Sequence, residues 1–127
     1  MKKVLIISLI AIVLVGVIVG AAYMKKVSDY KKKVSALVIN DVDLSAIKDG
    51  KYIGEYKADL VEAKVQVEIK DHKYKNIELL EHKNGKGKPA EIIPSKVVEA
   101  QSLNVDTVSG ATMSSKVILQ AIQNALN

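Results

Sequence analysis

The residues that could do chemistry gather in one stretch, Asp106-Thr107-Val108-Ser109-Gly110-Ala111-Thr112-Met113-Ser114-Ser115, directly ahead of an apolar helical pattern. Hydroxyls at Ser109, Thr112, Ser114 and Ser115 surround Gly110. A glycine there permits a positive φ or the close approach of a ligand to the backbone. A helix N-terminus offers free N–H groups and the positive end of its dipole, so such a turn favours an anion, phosphate above all. Thr112 and Ser114 also suit capping of the helix. The residues alone leave two readings open: a phosphate site, or a plain Ser/Thr-rich cap behind a glycine turn.

Other chemistries find little to stand on. His72 and His82 have no partner at metal-ligand spacing and read as surface histidines. The carboxylates are scattered, and no nucleophile elbow, Walker A loop or dinucleotide fingerprint is present. There is no cysteine, hence no disulfide, thiolate metal site or lipobox. No catalytic residue and no metal site is assigned. The net charge of +5 is concentrated: residues 1–26 hold four Lys and no acid, leaving 15 Lys against 14 acids in the rest. Arg, Trp and Phe are absent, which removes the usual phosphate forks and base-stacking platforms. A nucleic-acid partner is excluded on these grounds.

The elements that must position the turn follow from periodicity. Residues 51–57 read as a strand with Tyr52 and Tyr56 on one face and Gly54 between them, a glycine that calls for a close backbone neighbour. Residues 63–70 alternate with period 2, placing Val65, Val67 and Ile69 toward a core and Lys64 and Gln66 toward water. Asp71-His72 is the expected turn, and residues 74–81 return with Ile77 and Leu79 inward. Residues 82–89 form a Lys- and Gly-rich loop, Pro94 opens a short helix to Ala100, and residues 103–108 are extended. The last helix, 113–126, carries one apolar stripe through Val117, Ile118, Ala121, Ile122 and Ala125. The fold class is α+β, a small antiparallel sheet packed with helices.

Ahead of this domain, residues 4–24 run without a charge, enough at about 1.5 Å per residue to span roughly 30 Å of bilayer core. Lys2, Lys3 and Gly20-Ala21-Ala22 would also suit a cleaved signal, but the run exceeds the about 7–15 residues of such a segment. One N-terminal transmembrane helix is expected. The organisation is thus residues 1–26 as membrane anchor or signal, 27–44 as a Lys-rich stalk, and 45–127 as the folded domain. The lysines after the span, read by the positive-inside rule, would keep that domain in the cytoplasm.

Asp106-x-x-Ser109-Gly110-Ala111-Thr112, followed by Ser114, Ser115, Lys116 and an apolar helix, resembles the motif of the FMN-binding domain family. That family includes the C subunit of sodium-pumping NADH:quinone reductase and the G subunit of the Rnf electron-transport complex. The likeness extends upstream over Asp49-Gly50-Lys51-Tyr52-Ile53-Gly54, the hairpin 65–81, Ile92-Ile93-Pro94 and the approach 101–106. The Asp71-His72 turn departs from it, since a Gly is more usual there. The resemblance implies covalent FMN, esterified through its phosphate to Thr112 by a flavin transferase. It implies contacts from Ser109, Gly110, Ala111, Ser114 and Ser115, and recognition of Asp106 by the transferase. Because that transferase works outside the cytoplasm, it also implies a bacterial flavoprotein of the cell membrane, single-pass, with its domain extracytoplasmic. Such a chain would pass electrons between redox partners, a partner protein or a quinone-linked electron-transport chain, more as carrier than as stand-alone enzyme. A small FMN-dependent reductase with its own acceptor, or a non-redox binding module of the same fold, are the alternatives.

Overall fold

The computed structural model describes residues 1–84 and 87–127. Helix α1 (Lys2–Ser35) is followed by a 3-10 turn (Leu44–Ala46) and three strands, β1 (Gly50–Ala58), β2 (Val61–Lys70) and β3 (Lys73–Asn84). A second 3-10 turn (Lys88–Ile92) leads into α2 (Ile93–Ala100), and α3 (Thr112–Leu126) closes the chain. The strands form one antiparallel sheet in the order β1-β2-β3. Helices α2 and α3 cover its inner face, which confirms the α+β class read from the sequence.

β2 shows why the sheet folds as it does. Val61, Ala63, Val65, Val67 and Ile69 are all buried, one per pleat, beneath α3. The even positions Lys64 and Gln66, expected in water, are half-buried. β2 is the central strand, so side chains from both neighbours shield its outer face. Lys64 stands between Glu55 and Glu81, and Glu62 between Lys57 and Lys83, so opposite charges alternate across the sheet.

Gly54 has the close neighbour its position demanded. A Cβ there would overlap the Ala121 carbonyl and the Ala125 backbone, so α3 lies directly on β1. Asn124 Nδ2 adds a hydrogen bond to the Glu55 carbonyl (3.0 Å). The β2–β3 turn takes left-handed φ at both Asp71 (52°) and His72 (60°), the geometry that suits a two-residue hairpin loop. The Asp71 N–H is held by Asp49 Oδ1 (2.9 Å), and the His72 ring meets the Leu44 carbonyl (3.0 Å), so contacts to the segment ahead of β1 help to fix the turn without a glycine.

β3 corrects two sequence readings. It runs to Asn84 rather than ending at Glu81; Gly85 and Lys86 of the expected loop lie outside the described residues. It also carries two register shifts, with Lys75 and Leu80 as the extra residues. Each shift flips the parity, so the inner face is Tyr74, Ile77, Leu79 and then His82, opposite Ala63. His82 is therefore no surface histidine. Its side chain is 2% exposed, with Nδ1 3.2 Å from Glu91 Oε1 on the second 3-10 turn. Tyr74 is buried too, and burial, helped by the charge of Asp41, pushes its phenol up to about 12.

α1 is long and apolar enough to cross a membrane, and its apolar side chains from Val4 to Met24 are exposed on every side. The helix does not stop at the last apolar residue. It continues without a break to Ser35, and Tyr30 and Val34 are buried in the domain core. Residues 30–42, part of the segment read as a stalk, thus pack on the domain. The Asn40 N–H reaches Gln123 Oε1 (3.2 Å), and Lys116 Nζ reaches the Ser35 carbonyl (3.4 Å).

Candidate functional site

The turn before α3 is closed by backbone and held from beneath by one serine. Gly110 sits at φ 80° with open space where a Cβ would go, and the Ala111 N–H donates to the Val108 carbonyl (2.9 Å). Ser115 is fully buried. Its hydroxyl donates to the Ala111 carbonyl (2.8 Å) and accepts the Val108 N–H (3.0 Å). One side chain thereby ties both ends of the turn to the first turn of the helix.

The cap expected from Thr112 or Ser114 is not formed. Ala111 is the N-cap residue, and among the described residues no side chain accepts a hydrogen bond from the first amides of α3. Thr112 is already the first helical residue, one position too late to cap, and it is exposed. A helix start without a side-chain cap beside an exposed hydroxyl is what the phosphate reading requires and the plain-cap reading does not.

Two clamps fix the approach to this turn. Asp41 accepts hydrogen bonds from Ser102 Oγ and from the Leu103 N–H (3.1 Å). Partial desolvation pushes its carboxyl up, but the bonds from Ser102, Leu103 and Val42 outweigh this and hold it below the ordinary range. Gln101, in the left-handed region at φ 52°, accepts from the Tyr74 N–H (2.8 Å) and donates to the Tyr74 carbonyl (2.8 Å). Its amide thus stands in for a further strand at the edge of β3. Neither residue was identified from the sequence, because their partners lie 27 to 62 residues away.

Thr112 opens onto a cavity of ≈ 740 Å³, within the size range of small-molecule sites. It is lined by Gly110, Ala111, Met113 and Ser114 of the turn and the start of α3, by Leu60 and Val61 of the sheet, and by Tyr23, Val27 and Tyr30 of α1. Ser109 and Ser115 do not line it. Asp106 is exposed on a separate groove with Lys96, Glu99 and Asn104. The lining combines the hydroxyls of Thr112 and Ser114 at the helix start with apolar side chains and two tyrosine rings.

The fold is a small α+β module with a cavity at the start of its last helix. A sequence model of the FMN-binding domain matches residues 61–127, just over half of the chain, and the protein belongs to that family. FMN is therefore its cofactor. A relative described as NADH:acrylate oxidoreductase, from Vibrio harveyi, is 42% identical over 45 residues. That stretch is 35% of this chain and 4% of the relative, so the chain spans a small fraction of the length of the curated protein it matches.

Proposed function

We propose that this chain is a membrane-anchored, extracytoplasmic electron-transfer module that carries FMN covalently, through its phosphate, on Thr112 Oγ1. The observation that carries this reading is the exposed Thr112 hydroxyl, on the first residue of a helix without a side-chain cap and facing a cavity of ≈ 740 Å³. Attachment forms an Oγ1–P bond as the donor flavin nucleotide loses the group on its phosphorus, which leaves with the threonine proton. The net addition is FMN minus water. The neighbouring hydroxyls are poorer acceptors. Ser115 is buried with its oxygen committed to both turn ends, Ser114 is buried, and Ser109 lies off the cavity.

The α3 amides hold phosphate without Arg, and Gly110, Ala111 and Ser114 shape its surroundings. Asp106, exposed and outside the cavity, is free to be read by a flavin transferase. Bound FMN supplies the uptake and release of electrons; the protein supplies tether, orientation and burial. An exported location follows from the need for a transferase outside the cytoplasm, and a covalent bond keeps a cofactor that could not be replaced there. This outweighs the lysines after the span, since an apolar N-terminus with a basic start also serves export. Its redox partner is a partner protein or a quinone-linked electron-transport chain.

The test is coexpression with a flavin transferase, followed by denaturation and intact-mass measurement. Wild type gains one FMN less one water, Thr112→Val keeps its fold and gains nothing, and Asp106→Ala loses most of the adduct. Adduct retained in Thr112→Val would sink the assignment. A C-terminal alkaline phosphatase fusion is active if the domain is exported; a silent one, with an active cytoplasmic reporter, overturns the location. The relative's name favours a second reading, a small FMN-dependent reductase. It requires saturable turnover of an acceptor without any partner protein, which a carrier does not show.

A further inference from the structure

The chain has only five aromatic residues, all tyrosines. Three are engaged elsewhere: Tyr52 donates to the Lys48 carbonyl (2.6 Å), Tyr56 lies 5.9 Å from Lys33 Nζ, and Tyr74 is buried under the sheet. The other two, Tyr23 and Tyr30, line the cavity onto which Thr112 opens. With Val27 they are spaced by four and three residues, which puts them on one face of α1. Tyr30 is 7% exposed and fixed in the core, whereas Tyr23 is 62% exposed and sits one residue before the end of the uncharged run.

From this arrangement we infer that the anchor helix supplies the isoalloxazine-facing wall of the flavin site, with Tyr30 and Tyr23 as its ring contacts. The inference rests on the reading that Thr112 carries the FMN. A flavin tethered at Thr112 has the rest of this cavity to place its ring system in. The two tyrosines are the aromatic side chains that line it, and an offset ring contact is what aromatic faces prefer. The helix that crosses the bilayer is then part of the cofactor site, and the site opens at the level where the apolar run ends.

The rival role for Tyr23 is a simple interfacial anchor, and flavin fluorescence separates the two. A touching phenol donates an electron to the photoexcited ring and recovers it without emission; a phenyl ring is too poor a donor to do so. The full-length protein, flavinylated by coexpression and held in detergent, is compared with the Tyr23→Phe/Tyr30→Phe double variant. Both changes keep the ring, so Tyr30 packing and the fold are retained. The expected result is an unchanged adduct mass and a several-fold longer flavin fluorescence lifetime in the double variant, with Tyr52→Phe matching wild type. A normal adduct with an unchanged lifetime in the double variant overturns this inference and leaves Thr112 standing. Equal lengthening by Tyr52→Phe overturns it as well. A wild-type chain that never acquires the adduct overturns both readings.

Discussion

β2 and the turn at Ser109–Thr112 follow opposite rules. In β2 every odd side chain is buried, and no inner position is left open. In the turn, Ser109, Gly110 and Thr112 are exposed and only Ala111 is buried. The strand removes apolar surface from water, about 25 cal/mol per Å², and supplies folding energy. The turn gives up that gain and keeps a hydroxyl accessible. The link between them is α3, whose Val117, Ile118, Ala121 and Ile122 pack on the sheet while its first residue faces the cavity. Core packing and an accessible hydroxyl are thus placed at different points of one helix.

That division can be broken on either side. The largest effect belongs to Val67→Asp, which puts an unpaired carboxylate in a fully buried position at a cost of about 4 kcal/mol or more. The cooperative urea transition should disappear; a variant that unfolds like wild type would show that the inner face is misassigned. Ser115→Ala comes next, because it leaves the Val108 N–H without its acceptor, and should cost about 1–2 kcal/mol. Its flavinylation in coexpression should also fall, whereas a purely stabilising role would leave the adduct yield intact in the folded fraction.

Gly110→Ala isolates the backbone. A Cβ at this residue meets nothing within 4 Å, so the cost is that of a left-handed φ, roughly 1–2 kcal/mol. Thermal unfolding should register that loss, and a fully stable variant would mean the turn does not need its positive φ. The smallest effect is expected of Lys64→Gln on the outer face, within about 0.5 kcal/mol. A loss as large as that of Val67→Asp would erase the distinction between the two faces of β2.

The regular parts of the fold were legible because periodicity is local. The alternation of residues 63–70 and the apolar stripe of α3 each record which face is buried, and Gly54 announced a close neighbour. What was hidden depends on register or on distance along the chain. Two register shifts in β3 cannot be read from a hydrophobic pattern, so Tyr74 and His82 were not placed inside. The cap was not settled because Ser/Thr content does not say which residue takes the N-cap position; Ala111 took that place and left Thr112 one step inward. Asp41 and Gln101 act on partners far along the chain, and no local signal marks them.

The unbroken run of α1 from Lys2 to Ser35, with Tyr30 and Val34 packed into the domain, has a consequence for motion. Most tethered domains swivel on a linker and sample every orientation. Here the last turns of the helix are part of the domain, so no swivel separates them. Were α1 to span a bilayer as proposed, the domain would be held upright with it, and its rotation would reduce to a slow spin about the membrane normal. A partner that is itself held in the bilayer would then meet the cavity at a fixed height, by a two-dimensional search.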